Sequence, residues 1–271
     1  MKKGKCHICQ KEEYLTFEHI PPHKAFNFQS AKSIEGDEIL KVMCDGERMP
    51  WDYSNLKYVN KQRGMGMHSL CPRCNNLTGK YYGNEYIKFA NTIDMLFPQI
   101  LEKNEHIAGV YIEGINPLLF AKQVLSMFCS TCPNITKKQP EIIDLLLNKS
   151  NRGLDSNKLR LSMYLIKERK ISYTGIQAMH ATGIGTRLLA SIDAYPFGFL
   201  LEFNPKIKCV ELDITSFFNE YEDKEYNIEF GIPILERNMP YSTDYRTKNE
   251  IMKCIEENKR KINEINALQL H

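Results

Sequence analysis

The stretch that decides the fold is Cys71-Pro-Arg-Cys74, taken together with Cys6-His-Ile-Cys9 near the start of the chain. Each stretch holds a C-x-x-C pair, the spacing that lets two sulfur atoms point at one ion. Four thiolates are the complete ligand set of a tetrahedral zinc site. Such a site has no open coordination position, so the pattern predicts a structural zinc and not a catalytic one.

Two polar groups adjoin these cysteine pairs. Glu18 and His19 stand side by side at the end of a predicted strand, and Asn75 follows Cys74 directly. A zinc ion that joins the two pairs also brings these groups close together. Glutamate and asparagine oxygens are hard ligands suited to Mg²⁺ or Mn²⁺, and a neutral histidine can take a proton from an attacking water. The pattern therefore favours metal-assisted hydrolysis beside the zinc.

At these positions the sequence resembles the HNH endonucleases, and in particular their zinc-knuckle members, including the phage junction-resolving enzymes of the endonuclease VII type. The family pattern is a C-x-x-C pair, then an acidic residue and a histidine, then a second C-x-x-C pair followed at once by Asn or His. In this chain it reads Cys6-x-x-Cys9, Glu18-His19 and Cys71-x-x-Cys74-Asn75. The match lies within the first third of the chain.

The resemblance implies an N-terminal ββα-metal unit with nuclease activity. It implies that His19 is the general base, that Glu18 and Asn75 hold a catalytic Mg²⁺ or Mn²⁺, and that the four cysteines hold a structural Zn²⁺. Nucleic acid is the implied partner, with DNA expected before RNA. HNH parts of this kind also belong to bacterial self-defence systems, so an antiviral effector role is a further expectation.

Three features depart from the family pattern. Glu18 stands where aspartate is commoner, which lengthens the ligand by one methylene group. The family's middle asparagine is not evident in residues 64–71, so His68 or a backbone group is expected to replace it. The gap before Cys71 is longer than a compact hairpin requires, which implies an insertion around residues 28–60. A loop insertion changes the chain entropy little, so the fold tolerates it.

Other residues near the motif have simpler explanations. Asn76 replaces Asn75 as the ligand if the helix begins one residue later, and is otherwise a helix cap. His23 is expected to be a loop histidine. A third pair, Cys129 and Cys132, follows an apolar helix and is expected to hold buried structural thiols. The basic residues that flank the motif fit phosphate contacts and ordinary surface charge equally well; they are Lys61, Arg63, Arg73 and Lys80.

The predicted fold class is α+β, with the ββα unit followed by helices packed on a mainly antiparallel sheet. We expect two domains, residues 1–104 with the motif and its connecting helix, and residues 105–271 with an unknown role. Residues 28–64 have no clear period and are predicted to form a long loop or an insertion.

Apolar periodicity predicts the remaining elements. The predicted helices cover residues from about 75 to 103, 117–129, 140–147 and Lys248 to about Leu268. A strand is predicted over 106–113, and strand-like runs follow one another between residues 158 and 235.

Composition limits the classes of function. The chain has 271 residues, of which 42% are hydrophobic and 25% charged, the balance of a globular protein with a real core. No run approaches the ~20 apolar residues of a membrane span, so we expect no membrane partner and a cytoplasmic location. Nine cysteines, four of them in the two C-x-x-C pairs of the motif, favour metal ligation in a reducing compartment. The net charge of +3 neither demands nor excludes nucleic acid.

Three hypotheses follow. The first is an endonuclease that hydrolyses nucleic-acid phosphodiesters, and the second is a non-catalytic zinc-knuckle module that binds nucleic acid or protein. Glu18 and His19 discriminate them, because a binding module does not need a carboxylate beside an imidazole. The third is that residues 105–271 are a sensor or docking domain, contacting a partner protein or a second copy of the chain, with the nuclease as its effector.

Overall fold

The structure is a computed structural model that describes residues 2–45, 48–49, 51–103, 105–181, 185–238 and 243–268. The strands, in chain order, are β1 (Lys2–Lys5), β2 (Glu12–His19), β3 (Ala31–Ser33), β4 (Val59–Lys61), β5 (Gly66–Leu70), β6 (Ile107–Ile115), β7 (Leu159–Leu165), β8 (Ile171–Ala181), β9 (Gly185–Ala194), β10 (Phe197–Phe203), β11 (Leu212–Asp213) and β12 (Tyr226–Pro233). The α-helices are α1 (Gly36–Asp45), α2 (Pro72–Thr78), α3 (Asn84–Glu102), α4 (Pro117–Thr131), α5 (Ile135–Lys138), α6 (Glu141–Leu147), α7 (Ser216–Glu220) and α8 (Lys248–Leu268). The named strands pair antiparallel, which confirms a mixed α+β class with antiparallel sheets.

Packing divides the chain into two compact units. Unit 1 comprises Met1–Ser33 and Tyr58–Ile234, and unit 2 comprises Ile34–Lys57 and Leu235–His271. Unit 1 continues across residue 104, and the independent folding of the segments 1–104 and 105–271 stays a prediction.

The front of unit 1 is a three-stranded sheet in the order β1-β2-β5. In the pairing of β2 with β5, Phe17 lies opposite His68 and Glu18 opposite Met67. Strand β5 leads directly into Cys71, and Pro72 takes the first position of α2, where a missing N–H is harmless. A π-helical turn over Gly79–Gly83 links α2 to α3. The predicted helix that ends near residue 103 is therefore confirmed.

Helix α4 forms the centre of unit 1. Residues 117–130 are all buried, which fits a helix predicted to be apolar around nearly its whole circumference. The Phe120 ring stacks on Tyr86 of α3 at 5.6 Å between centroids and contacts Phe89 at 4.3 Å. Phe89 in turn contacts Phe197 of β10 at 5.3 Å. These rings join α3, α4 and β10 into one core that spans both sides of residue 104.

The largest sheet of unit 1 has the order β11-β7-β10-β9-β8. Its central pairing places Leu201 of β10 opposite Leu161 of β7 and Ala190 of β9. Strand β12, predicted in the same series, pairs instead with β6, with Phe230 opposite Val110. The choice of pairing partner depends on the packing of segments that are distant in sequence, and the local apolar pattern of a strand carries no information about it.

The long loop predicted over residues 28–64 is wrong. Strands β3 and β4 form a short hairpin in which Ala31 lies opposite Lys61 and Ser33 opposite Val59. Helix α1 occupies part of the segment between them. Strands of three residues are too short to display an alternating pattern, so the sequence gives no periodic signal for them.

Unit 2 contains the predicted C-terminal helix, α8. Thr247 and Glu250 cap its start: the Glu250 carboxylate accepts from the Thr247 backbone N–H at 2.7 Å, and the Thr247 hydroxyl accepts from the Glu250 N–H at 3.3 Å. This capping box satisfies two N–H groups that have no partner inside the helix. None of the described helices combines the length and the apolar character that a membrane span requires.

Candidate functional site

The four predicted cysteines form one cluster. Their sulfur atoms all lie within 4.8 Å of one another, and the sulfurs of Cys9 and Cys71 are 3.9 Å apart. A tetrahedral zinc with Zn–S bonds of about 2.3 Å separates its sulfurs by about 3.8 Å. The Cys71 backbone N–H also donates to the Cys6 sulfur at 3.3 Å, as expected for a thiolate acceptor. The cluster can therefore hold a metal ion such as zinc.

The local backbone explains why these sulfurs converge. In the first pair, the Gln10 N–H donates to the Cys6 carbonyl at 2.9 Å, closing a tight turn in which Gln10 has a φ of 60°. The His7 N–H donates to the Ser69 carbonyl at 2.9 Å, which fastens this turn to β5. The second pair stands at the start of α2. The sheet thus brings together two turns that are distant in sequence.

The thiols of the cluster differ in pKa. Hydrogen bonding with Cys74 lowers the pKa of Cys6 to about 4, and the same contact raises the pKa of Cys74. Burial raises the pKa of the Cys9 thiol. Buried thiolates need a compensating charge, and a divalent cation supplies it for all four sulfurs at once.

His19 lies at the end of β2, where successive side chains point to opposite faces. Its Nε2 atom is 2.9 Å from the Arg63 carbonyl oxygen. A carbonyl oxygen only accepts, so Nε2 is the donor, and in the neutral imidazole Nδ1 then keeps its lone pair. This tautomer is the one that leaves a nitrogen able to take a proton from water.

Glu18 points to the opposite, buried face of β2. Its Oε2 atom accepts hydrogen bonds from the hydroxyls of Ser69, at 3.2 Å, and Ser130 of α4. Burial raises the pKa of Glu18 to about 7, although both serine bonds act in the other direction. No described residue donates to Oε1, so this oxygen remains as an acceptor for a ligand.

Asn75 lies on α2 beside the same strand. Its Nδ2 group donates to the Thr16 hydroxyl at 2.9 Å and to the Phe17 carbonyl at 3.3 Å. Both bonds use the nitrogen, which orients the amide and leaves Oδ1 as the atom that can bind a cation. Asn76 is exposed on the same helix.

One pocket of about 270 Å³ brings the three predicted residues together. It is lined by Phe17, Glu18, His19, Pro22, His23, Asn75, Thr78, Gly79, Gly83, Ile87 and Gln123. The free oxygens of Glu18 and Asn75 are the hard donor atoms that Mg²⁺ and Mn²⁺ prefer, so the residues present fit such an ion.

Three comparisons with known proteins, against family models, curated proteins and solved structures, found no match for this chain. The resemblance to the HNH endonucleases therefore stays an expectation that rests on the residues quoted for it. The function has to be inferred from the geometry of the pocket and its neighbours.

Asn27 is a site residue that the sequence reasoning missed. Its buried side chain donates from Nδ2 to the carbonyls of Pro21 and Met65, at 2.7 and 2.8 Å, and accepts from the Met65 N–H at 2.6 Å. It thereby ties the end of β2 to the start of β5. Gly64 has a φ of +82° and packs closely against the Asn27 backbone. A Cβ at this position would lie 2.0 Å from the Asn27 carbonyl oxygen, so only glycine fits. Asn27 therefore ties the end of β2, which carries His19, to the start of β5, and the role expected of His68 stays a prediction.

Gln123 is a second missed residue, and it comes from α4. Its side chain is 3% exposed and lines the pocket, and its Oε1 atom has no hydrogen-bond partner in the described part of the chain. A Cβ on Gly83 would stand 3.8 Å from this oxygen, so glycine keeps the carboxamide uncovered. A buried amide without a partner costs about 1–3 kcal/mol, which favours a role in binding a ligand. The sequence feature that could have indicated this role is the position of Gln123, a polar residue within the apolar helix α4.

Three further residues singled out in the sequence are Cys129, Cys132 and His23. Cys129 and Cys132 are buried, and burial raises the pKa of both thiols, in keeping with structural residues. His23 was expected to be a loop histidine, and it does lie outside the strands. It also lines the pocket, with its ring centroid 4.9 Å from that of His19.

Proposed function

We propose that this protein is a metal-dependent nuclease of the HNH type, which hydrolyses phosphodiester bonds of nucleic acid, with DNA as the expected substrate. One observation carries the proposal: Glu18, His19 and Asn75 line a single pocket although Asn75 lies 56 positions after His19 in the sequence. The order of β2, β5 and α2 beside the cysteine cluster supports the ββα-metal unit that the resemblance implies.

The chemistry assigns one task to each residue. His19 accepts a proton at Nδ1 from the attacking water, because its Nε2 proton is engaged by the Arg63 carbonyl. Glu18 Oε1 and Asn75 Oδ1 would hold Mg²⁺ or Mn²⁺. The bound ion would polarise the scissile phosphate and stabilise the leaving oxygen. The four cysteines hold the structural zinc that fixes the two sides of the pocket.

A non-catalytic zinc-knuckle module is the second candidate, and one observation favours it. Glu18 is already hydrogen-bonded to two serine hydroxyls in a buried site, which is also the arrangement of a purely structural carboxyl group. In that case the pocket would bind nucleic acid or protein without cleaving it.

Metal titration of ligand variants tests the proposal. Wild type should cut supercoiled plasmid with Mg²⁺ or Mn²⁺ added, and Asn75→Ala should cut poorly but recover partly at higher Mn²⁺, since it loses one ligand of a weakly held ion. Asn76→Ala is the matched control, one position along α2, and should behave as wild type. A wild type that cuts neither plasmid, single strands nor RNA with either metal would favour the binding module instead.

A further inference from the structure

A row of aromatic rings crosses the mouth of the pocket. In spatial order it runs His68, Phe17, His19, His23 and Phe28, with centroid separations of 5.5, 5.0, 4.9 and 6.3 Å. Three of the five, Phe17, His19 and His23, also line the pocket. Phe17 is 40% exposed and Phe28 is 51% exposed. Large apolar side chains exposed along one row of rings are typical of a binding surface.

The two chain segments that carry this row are rich in basic residues. Residues 14–33 and 58–83 contain six lysines and arginines and a single acid, Glu18, which is buried; the six are Lys24, Lys32, Lys61, Arg63, Arg73 and Lys80. The whole chain, by contrast, holds 36 basic and 33 acidic residues. None of the six forms an ion pair with a described residue. The charge of these two segments therefore suits a polyanion.

Two of the cations also lie over exposed rings. The Lys32 ammonium is 4.5 Å from the Tyr58 ring centroid, and the Lys80 ammonium is 5.2 Å from that of Tyr81. Aromatic rings interleaved with free cations are the arrangement that binds single-stranded nucleic acid, where rings stack on bases and cations follow the phosphates. A duplex keeps its base faces inside the stack and offers them to no protein ring.

We propose that the aromatic row His68, Phe17, His19, His23 and Phe28 binds unpaired nucleobases, so that the strand entering the pocket is single-stranded nucleic acid. The proposal rests on the proposed function for its partner class and adds the form of the substrate. Stacking binds any base, so the row selects unpaired strands and not a sequence.

Binding without cleavage tests the row. Fluorescence anisotropy of a labelled oligothymidine and of a duplex of equal length is measured with zinc-loaded protein and no added Mg²⁺ or Mn²⁺. Wild type should bind the single strand more tightly than the duplex. Phe28→Ala should weaken single-strand binding roughly 5- to 100-fold, the loss of one stacked base, and leave duplex binding unchanged. Phe28→Trp should restore it.

The controls separate stacking from folding and from charge. Tyr111→Ala removes an aromatic side chain of similar exposure on β6 and should change neither affinity. Phe28→Leu keeps the apolar volume and should bind nearly as poorly as Phe28→Ala if its melting temperature matches wild type. An oligouridine arm reports whether DNA or RNA fits better.

Each result has one meaning. Equal losses for single strand and duplex, full affinity in Phe28→Leu, or tighter wild-type binding of the duplex would overturn the proposal. Phe28-dependent binding of single strands by a protein that cuts nothing with Mg²⁺ or Mn²⁺ would uphold the row while the nuclease proposal fails.

Discussion

The pocket has two walls of different origin. The strand wall, from β2 and α2, contributes Glu18, His19 and Asn75, all within ten positions of a cysteine of the zinc cluster. The helix wall comes from α4, where Gln123 faces the pocket and Ser130 binds Glu18 across 112 positions of sequence. The reacting groups thus stand beside a motif, while the groups that surround them are supplied by the tertiary fold.

The first cysteine turn joins the two walls. The His7 Nδ1 group donates to the Ser130 carbonyl at 2.7 Å. Gln10 Nε2 donates to the Pro133 carbonyl at 3.3 Å and to the Thr136 hydroxyl at 2.6 Å. The turn that supplies two sulfurs is therefore fastened to the C-terminal end of α4. Losing the metal should disturb both walls together.

The largest expected effect comes from breaking the cysteine cluster. Cys71→Ser should lower bound zinc below half an equivalent and abolish the cooperative melting of the front sheet, because structural zinc contributes about 10–16 kcal/mol in small domains. Elemental analysis and thermal melting measure this. Cys254→Ser, which removes a partly exposed thiol of α8, should keep full zinc. Full zinc occupancy and unchanged melting in Cys71→Ser would contradict the assignment.

Asn27→Ala should have the next largest effect, and it acts on the strand wall alone. The change removes three hydrogen bonds and takes the partner from the Pro21 carbonyl and the Met65 N–H, so it should lower the free energy of unfolding by about 2–4 kcal/mol. Urea denaturation measures the loss. Asn60→Ala, on the exposed β4, should change it by less than about 0.5 kcal/mol. Equal effects of the two changes would show that Asn27 does not hold the end of β2 to the start of β5.

Two buried serines of α4 test whether the helix wall stabilises Glu18. Ser130→Ala removes a donor to the Glu18 carboxyl and should cost about 1–3 kcal/mol of stability. Ser126 is equally buried, but its hydroxyl has no described partner, so Ser126→Ala should be neutral or slightly stabilising. Denaturation of both variants measures the contrast. A loss of stability in Ser126→Ala as large as in Ser130→Ala would remove the case for a link between α4 and Glu18.

Much of the fold could be predicted from local patterns. Helix α4 is apolar on all sides and α8 carries a regular charged pattern with a capping box, so both appear in the sequence near their observed bounds. The hairpin of β3 with β4 and the pairing of β12 with β6 could not be predicted. Their stability comes from partners distant in sequence, and short or isolated strands carry no period.

The site divides in the same way. The cysteine cluster could be predicted, because C-x-x-C spacing fixes ligand geometry locally. Asn27 could not, because its bonds depend on a chain reversal at Gly64 and on a partner 38 positions away. Gln123 could not be assigned to the pocket, because only the packing of α4 against the π-helical turn brings it there.

Single-turnover cleavage by His19→Ala tests the central claim most directly. With zinc content and melting unchanged, its rate on single-stranded DNA with Mn²⁺ should fall roughly 10²- to 10⁴-fold below wild type, since the base that takes the proton from water is gone. His106→Ala, an exposed histidine preceding β6, should cut as wild type does. A His19→Ala protein that retains its zinc and its fold and still cuts at the wild-type rate would contradict the account.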